Sequence, residues 1–182
     1  MENQFPKRKH PRLKSDVYDR AVMYFLTICT KDRSPCLGKI VWEAERLQTT
    51  AHCELSEAGA AVAEHLQRIP LSDAGAAADT FIVMPDHVHL LLALQTGEPS
   101  AVVTGAWSPS TYTRMVRIVK SFKTMVTKQL GYSVWQTSFY DTVLRDPAAF
   151  PAVRQYILAN PARWALRYGG IPEKNSAQNT GI

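Results

Sequence analysis

The chain has 182 residues, of which 46% are hydrophobic and 20% charged, a composition typical of one globular domain rather than a disordered or fibrous protein. Lysine and arginine number 21 against 16 aspartate and glutamate, and this net charge of +5 favours a polyanionic partner. The three cysteines form no Cys-x-x-Cys pair, and no apolar run approaches the roughly 18 residues of a membrane span. We therefore expect a cytoplasmic protein in a reducing compartment, without a membrane partner.

The two ends of the chain differ in composition from its middle. Residues 1–15 carry five basic side chains among prolines and almost no apolar residues, which predicts a flexible basic arm. A solvated tail without a role explains the same pattern. Residues 16–168 form the predicted single domain, and the polar residues 169–182 are predicted to be a disordered tail.

The first half of the domain is predicted to contain two strands and a helix. β-branched and aromatic residues over 21–30 predict a strand buried on both faces, and a shorter strand is predicted over 39–47. Apolar and small residues at helical spacing predict a helix over 55–69, with Ser56 as its cap. His65 on this helix is expected at a surface or boundary position, with a metal role as the less favoured alternative.

The second half is predicted to contain two strands around a Pro-Asp turn, then a helix, an aromatic strand-like run and a last helix. Their predicted bounds are, in chain order, 79–84, 87–94, 114–130, 134–145 and 146–160. A small-residue loop is predicted before the strands over 71–78, a mobile loop after them over 95–113, and a tail from Pro161 onward. Asp146 and Pro147 indicate the start of the last helix, because aspartate caps the free amides and proline suits the first position.

His87 and His89 open the second of the paired strands and are separated by one valine. Because side chains alternate between the faces of a strand, both imidazoles project from the same face. Neutral imidazole is a good ligand for a divalent cation, and two adjacent rings could bind one together. Two buried histidines with ordinary hydrogen-bond partners explain this pair equally well.

Two features favour a nucleic-acid partner, each with a structural alternative. The helix over 114–130 carries Arg117, Lys120 and Lys123 largely off its apolar stripe, which suits either phosphate binding or a solvated face. Trp135 and Phe139 could stack on bases, although packing in the core is the commoner fate of such residues.

Tyr156 and Asn160 are four residues apart on the last predicted helix, so they share one face with about 5–6 Å between their Cβ atoms. A tyrosine hydroxyl can attack a phosphodiester and hold the strand as a covalent phosphotyrosine. An amide oxygen can complete the coordination of a hard metal such as Mg²⁺ or Mn²⁺. Taken alone, a tyrosine on a helix is more often a packing residue.

Five segments in this order resemble the single-tyrosine transposases of the HUH nuclease superfamily, and more closely the REP-associated tyrosine transposase-like proteins. The resemblance covers about Tyr24 to Trp164, and the five segments are 24–30, 83–91, 119–123, 134–136 with 139–141, and 156–161. The resemblance implies an α+β, ferredoxin-like (RRM-like) fold, an antiparallel sheet with helices packed on it and the HUH motif on a central strand.

The resemblance also implies an activity and a site. His87, His89 and Asn160 would hold Mg²⁺ or Mn²⁺, and Tyr156 would be the nucleophile. The expected activity is metal-dependent cleavage and rejoining of single-stranded or hairpin DNA through a 5′-phosphotyrosine, by a protein associated with the nucleoid. The expected DNA contacts are Arg117, Lys120, Lys123, Trp135 and Arg145. A homodimer is left open, because members of the family differ in this respect.

Three alternatives remain. Tyr140 is a rival nucleophile, although Leu144 stands where its amide partner would be. The chain could be a DNA-hairpin-binding protein derived from a transposase that has lost catalysis. A histidine phosphoesterase would need a second His-x-Thr/Ser element, which the sequence lacks. The residues 19–22 before the first strand also depart from the Gly-Thr-type element with which REP-associated proteins read a DNA guide sequence.

Overall fold

The computed structural model describes residues 23–43, 46–69, 73, 75–94, 111–169 and 171–173. The predicted basic arm, most of the predicted loop 95–113 and most of the predicted tail 169–182 lie outside this part of the chain. The described strands are β1 (Met23–Cys29), β2 (Gly38–Glu43), β3 (His52–Leu55), β4 (Ala76–Met84), β5 (His87–Leu94), β6 (Tyr140–Leu144) and β7 (Ile171–Glu173). The described helices are α1 (Leu47–Thr50), α2 (Glu57–Gln67), α3 (Thr111–Leu130), α4 (Phe150–Leu158) and α5 (Asn160–Tyr168), with 3-10 turns at Lys31–Arg33 and Pro147–Ala149.

The main sheet has four strands in the order β4-β5-β1-β6, and every neighbouring pair is antiparallel. The chain passes through it in the order β1, α2, β4, β5, α3, β6, which is the βαββαβ path of ferredoxin-like folds. The predicted α+β fold with an antiparallel sheet is therefore confirmed. β5 is an interior strand, hydrogen-bonded to β4 on one side and to β1 on the other.

The larger core lies between the sheet and the helices α2 and α3. Alternate residues of β1 and β5 point to this face, because side chains alternate along a strand. Its fully or almost fully buried members include Tyr24, Leu26, Ile28, Val62, Leu66, Val88, Leu90, Leu92, Met115, Val119 and Val126. This packing explains the apolar stripe of α3.

Helix α4 covers part of the opposite face of the sheet. Ile157 on α4 is fully buried against Met23 and Leu91, which project from β1 and β5. Arg154 on the same helix forms a bidentate pair with Asp79, with distances of 2.6 and 2.7 Å. Asp79 stands where the pairing of β4 with β5 shifts register, so the helix is tied to an irregular point of the edge strand.

A second, smaller sheet has the order β3-β2-β7, with β2 and β3 antiparallel and β7 parallel to β2. Only β2 of this sheet was expected, within the predicted strand over 39–47. α1 and β3 follow it where no element was predicted. β7 lies within the tail that the sequence predicted to be disordered.

Helix α5 is the largest difference from the sequence prediction, which ended the helical region near Asn160 and placed a tail after Pro161. Proline interrupts a helix interior because it lacks an amide hydrogen, but the first turn of a helix does not use that hydrogen. Pro161 occupies this first turn, so α5 continues to Tyr168. It ends at Gly169, whose φ of 66° suits glycine at a helix end.

Helix α2 agrees with its prediction at the start and differs at one residue. The Ser56 side chain accepts a hydrogen bond from the amide of Gly59 at 3.1 Å, so the predicted cap is confirmed. His65, expected at the surface or a boundary, is buried with 9% exposure because α2 and α3 pack together at this point. No helix in the described part of the chain combines the length and the apolarity that crossing a membrane requires.

Candidate active site

His87 and His89 lie side by side on the buried face of β5 that looks toward helices α4 and α5. Each is matched across the sheet to β1, His87 to Cys29 and His89 to Thr27. The histidines are 7% and 6% exposed, and their Nε2 atoms are 3.2 Å apart. Two nitrogens at this distance need a shared proton or a cation between them, because their lone pairs would otherwise repel each other.

His87 is held by the residue that precedes it. Its Nδ1 lies 2.5 Å from Oδ1 of Asp86, which is itself 8% exposed. A carboxylate only accepts hydrogen bonds, so Nδ1 of His87 carries the proton and donates it. In the neutral ring the lone pair of His87 is then on Nε2, the atom that faces His89.

His89 is held by the neighbouring strand and is neutral at ordinary pH. Its Nδ1 lies 3.0 Å from the hydroxyl of Thr27. Burial, with the neighbouring His87 and the Arg33 guanidinium, lowers the pKa of His89 from 6.5 to about 3. Neutral imidazole is the form that binds metals, so the environment keeps His89 ready to act as a ligand.

The histidine pair fits a divalent cation. Two adjacent ligands at about 2.0–2.2 Å from one cation lie about 3.0–3.4 Å apart, and the two Nε2 atoms are separated by 3.2 Å. Among the described residues, however, no three His, Cys, Asp or Glu side chains are grouped so that they could hold a metal. Within the described residues a third protein ligand would then be of another type, and the amide oxygen of Asn160 is the predicted one.

Asn160 is the first residue of α5 and is buried with 9% exposure. Its Nδ2 donates to the carbonyl of Tyr156 at 3.1 Å, which leaves the Oδ1 atom available as an acceptor. Tyr156 and Trp164 lie four residues to either side of it on the helix pair α4 and α5. The Tyr156 ring lies 5.6 Å from the ring of His89, and the Trp164 ring lies 6.0 Å from the ring of His87. Along the chain, Asn160 is therefore flanked by two residues that contact the histidine pair.

Tyr156 lies at the rim of this site. Its ring packs edge-on against Phe25 at 5.9 Å, and Phe25 is 5.2 Å from His89. The guanidinium of Arg163 lies over the Tyr156 ring at 4.9 Å from its centre. The tyrosine is 39% exposed, so a ligand as large as a nucleic-acid strand can approach it while the histidines beneath stay buried.

The structure places Tyr140, the rival nucleophile, elsewhere. It stands on the edge strand β6 opposite Thr27, with β1 between it and the histidine strand. It shares a sheet face with His89, because Thr27 pairs with both, and it is 49% exposed. Tyr140 is therefore one strand further from the histidines than Thr27 is.

The predicted DNA contacts are not brought together with the histidines. Arg117 and Lys120 are exposed on α3, which covers the other face of the sheet, and Arg145 is exposed after β6. Lys123 donates to the carbonyl of Gln136 at 2.7 Å and so helps to hold the segment before β6.

Trp135 does not present a face to bases in this conformation. It is 7% exposed and packs on Phe122 of α3 with 5.4 Å between the ring centres. The core is the alternative that the sequence had left open for this aromatic residue.

Sequence reasoning missed three residues of the site. Thr27 could have been found by pairing the strand over 21–30 with the histidine strand, but the sequence does not give this register. Trp164 lies four residues after Asn160, as Asn160 lies four residues after Tyr156, but the sequence prediction placed Trp164 in a tail rather than in a helix. Asp86 was assigned only to a turn, although its position beside His87 was a usable signal.

Three relatives resemble this chain. An uncharacterized protein of Haemophilus influenzae is 26% identical over 169 residues, which are 86% of this chain and 89% of that protein. A second protein of that organism, provisionally described as a REP-associated tyrosine transposase, is 26% identical over 82 residues, 44% of this chain and 47% of that protein. The solved structure of a REP-associated tyrosine transposase bound to a REP hairpin has the same fold, with a TM-score of 0.51 and 15% identity over 88% of this chain and 74% of that chain.

The profile of the family described as IS200-like transposases matches residues 18–160. This range is most of the chain and includes His87, His89, Tyr156 and Asn160. The protein therefore belongs to the family of IS200-like transposases.

Proposed function

We propose that this protein is a metal-dependent endonuclease and strand transferase acting on single-stranded DNA through a covalent 5′-phosphotyrosine. The observation that carries the proposal is the half-exposed Tyr156 ring at 5.6 Å from His89, beside two converging imidazole nitrogens. Family membership supports transposase chemistry. The related structure bound to a REP hairpin supports hairpin-associated DNA as the substrate. The nucleoid is the place of action proposed for such an enzyme.

In the proposed reaction Tyr156 is the nucleophile. Its hydroxyl oxygen attacks the scissile phosphorus and loses its proton as the new bond forms. The bond from phosphorus to the 3′ oxygen breaks, and that oxygen takes up a proton and leaves as a free 3′-hydroxyl. The 5′ side of the break stays on Tyr156 as an ester, so a different 3′-hydroxyl can reverse the step and complete strand transfer.

His87, His89 and the Oδ1 atom of Asn160 are the proposed ligands of Mg²⁺ or Mn²⁺. Such a cation, when bound, would polarise the scissile phosphate and offset the charge that develops on it. The protein's own contribution is to hold the Nε2 atoms of the two imidazoles 3.2 Å apart and to keep His89 neutral. The Arg163 guanidinium lies over the tyrosine ring at 4.9 Å from its centre, a cation–π contact that helps to hold the ring in place.

We further propose that Tyr156 acts on DNA bound to its own subunit. Two kinds of contact within one chain support this. The Tyr156 ring packs against Phe25 and His89, and the Arg154 pair with Asp79 ties the same helix to β4. The proposed site needs no residue of a second copy, so cleavage by a monomer is expected.

The test is incubation with single-stranded DNA that carries the hairpins flanking the gene, with Mg²⁺ or Mn²⁺, followed by denaturing gel analysis. The proposal predicts a covalent adduct that is lost in both Tyr156→Phe and His87→Ala. Tyr132→Phe is the matched control, because Tyr132 is 59% exposed and lies beyond the end of α3. It should form the adduct like the unaltered protein.

Each other result has a distinct meaning. An adduct that persists in Tyr156→Phe contradicts the assignment of the nucleophile. Tight hairpin binding without an adduct under either metal contradicts catalysis and favours the DNA-hairpin-binding protein derived from a transposase. Activity that survives Tyr156→Phe without any covalent species favours a histidine phosphoesterase.

A further inference from the structure

Asp86 occupies the turn between β4 and β5, immediately before the first histidine. The turn is fixed by its own backbone, since the Asp86 carbonyl accepts from both the amide and the hydroxyl of Thr30, each at 2.9 Å. The carbonyl of Pro85 accepts from the amide of Leu37 at 3.0 Å. The backbone of Asp86 is therefore held by bonds that do not involve its carboxylate.

The two oxygens of the Asp86 carboxylate have different partners. Oδ1 accepts from Nδ1 of His87 at 2.5 Å, and Oδ2 accepts from Nη1 of Arg33 at 3.4 Å. Asp86 is 8% exposed, so this carboxylate would be costly to bury without such partners. The arrangement is a chain of contacts from Arg33 through Asp86 to His87.

Arg33 reaches Asp86 from a strained turn. Asp32 and Arg33 both have φ of 54°, a region that residues other than glycine adopt rarely. Such strain is retained only where the surrounding structure imposes it. Here the amides of Arg33 and Ser34 donate to the carbonyls of Thr30 and Lys31, at 3.2 and 3.0 Å, which closes the turn.

We propose that Asp86 is a positioning residue of the metal site and that Arg33 holds its carboxylate in place. Asp86 keeps the proton of His87 on Nδ1, fixes the plane of the ring and leaves the Nε2 lone pair directed toward His89. Outer carboxylates of this kind typically improve metal binding 10- to 100-fold. The inference rests on the proposed metal site and names a residue outside the ligand set.

The first test needs no substitution. Nitrogen NMR of the histidine rings in the metal-free protein reports which ring nitrogen carries the proton. The inference predicts that His87 is protonated at Nδ1 and free at Nε2. Protonation of His87 at Nε2 would overturn it, whatever the activity of the protein.

The second test measures metal affinity rather than cleavage. Titration with Mn²⁺, followed by its electron paramagnetic resonance signal, should give a Kd about 10–100-fold weaker for Asp86→Ala than for the unaltered protein. Arg33→Ala should weaken binding less, because the bond from Asp86 to His87 remains. Asp73→Ala is the matched control, since Asp73 also accepts from an arginine, Arg114, but lies before β4 and away from the histidines.

The outcomes separate this inference from the proposed function. Unchanged Mn²⁺ affinity in a folded Asp86→Ala protein overturns the role of Asp86 while leaving the metal site intact. Equal weakening in Asp73→Ala also overturns it, because the effect would then be general destabilisation. If the unaltered protein binds no Mn²⁺, both the role of Asp86 and the proposed metal-dependent function are contradicted. If Mn²⁺ binding depends on Asp86 but no DNA adduct forms, only the proposed cleavage falls.

Discussion

The ring of Tyr156 lies 5.6 Å from the ring of His89, although one residue stands on helix α4 and the other on an interior strand. Phe25 touches both rings, at 5.9 and 5.2 Å. Tyr140, in contrast, is separated from the histidine strand by β1. A phosphate bound at the histidine pair would therefore meet Tyr156 first.

The different positions of Tyr156 and Tyr140 relative to the histidines predict different results for the same Tyr→Phe substitution at the two residues. Tyr156→Phe should reduce formation of the covalent DNA adduct by roughly a thousandfold or more, because the attacking oxygen is gone. Tyr140→Phe should form the adduct within a few-fold of the unaltered rate. Single-turnover assays on denaturing gels measure both. Loss of the adduct in Tyr140→Phe alone would reverse the assignment.

The ion pair of Asp79 with Arg154 predicts a pH-dependent contribution to stability. The hydrogen bond from Arg154 lowers the pKa of Asp79 in the folded protein, and the carboxylate has its ordinary pKa of about 3.9 when unfolded. Because the pKa of Asp79 is lower in the folded than in the unfolded protein, the ion pair stabilises the fold at any pH above the unfolded-state pKa. This stabilisation is lost as the pH falls through the folded-state pKa. Asp79→Asn should therefore lower the Tm at pH 7 and lower it progressively less below about pH 4.

The control for this prediction is Glu54→Gln. Glu54 forms a 3.1 Å pair with Lys39 in which both side chains are 57% exposed, and such pairs contribute little to stability. The Tm of Glu54→Gln should match that of the unaltered protein at pH 7 and at pH 3. A Tm difference for Asp79→Asn that is the same at pH 7 and pH 3 would show that the ion pair is not its cause.

The position of Gly59 at the start of α2 leaves no room for a side chain. A Cβ added at this residue would lie 2.0 Å from the carbonyl oxygen of Leu37, a backbone atom that cannot rotate away. Gly59→Ala should therefore lower the free energy of unfolding by about 1–3 kcal/mol. Denaturant titration measures the change, with Ala60→Ser at the neighbouring exposed position as control. Equal stability of Gly59→Ala would mean that α2 can move away from β2 without cost.

The sequence alone predicts the elements that carry strong local patterns. The strand 87–94, the Ser56 cap and most of the main sheet are found where expected, because their apolar alternation and capping chemistry are local properties. Helix α5 was missed because proline at the first turn resembles a helix stop unless the following turn is known. β3 was missed because it has only four residues and most of them are exposed, so it has no buried apolar face to indicate a strand.

The candidate site is only partly readable in the sequence. His87, His89, Tyr156 and Asn160 were identified from spacing and resemblance, and the fold places them on facing elements. The partners that orient the histidines depend on register and turn geometry, which no local pattern specifies. For Trp135 the sequence left base stacking and core packing open, with the core as the commoner fate, and the packing of α3 buries this residue.

The position of Phe25 predicts a loss of cleavage without a loss of metal binding. Its ring packs against both Tyr156 and His89 but supplies no atom that could bind a cation. Phe25→Leu should let the tyrosine ring shift, and small misplacements of a reacting group cost up to about a hundredfold in rate. We expect the rate of adduct formation to fall tenfold or more while the Kd for Mn²⁺ stays within about twofold. Phe139→Leu, at a buried aromatic residue on the other side of the sheet, controls for general loss of packing. Equal loss of rate in both variants, or weakened Mn²⁺ binding in Phe25→Leu, would contradict a role in placing Tyr156.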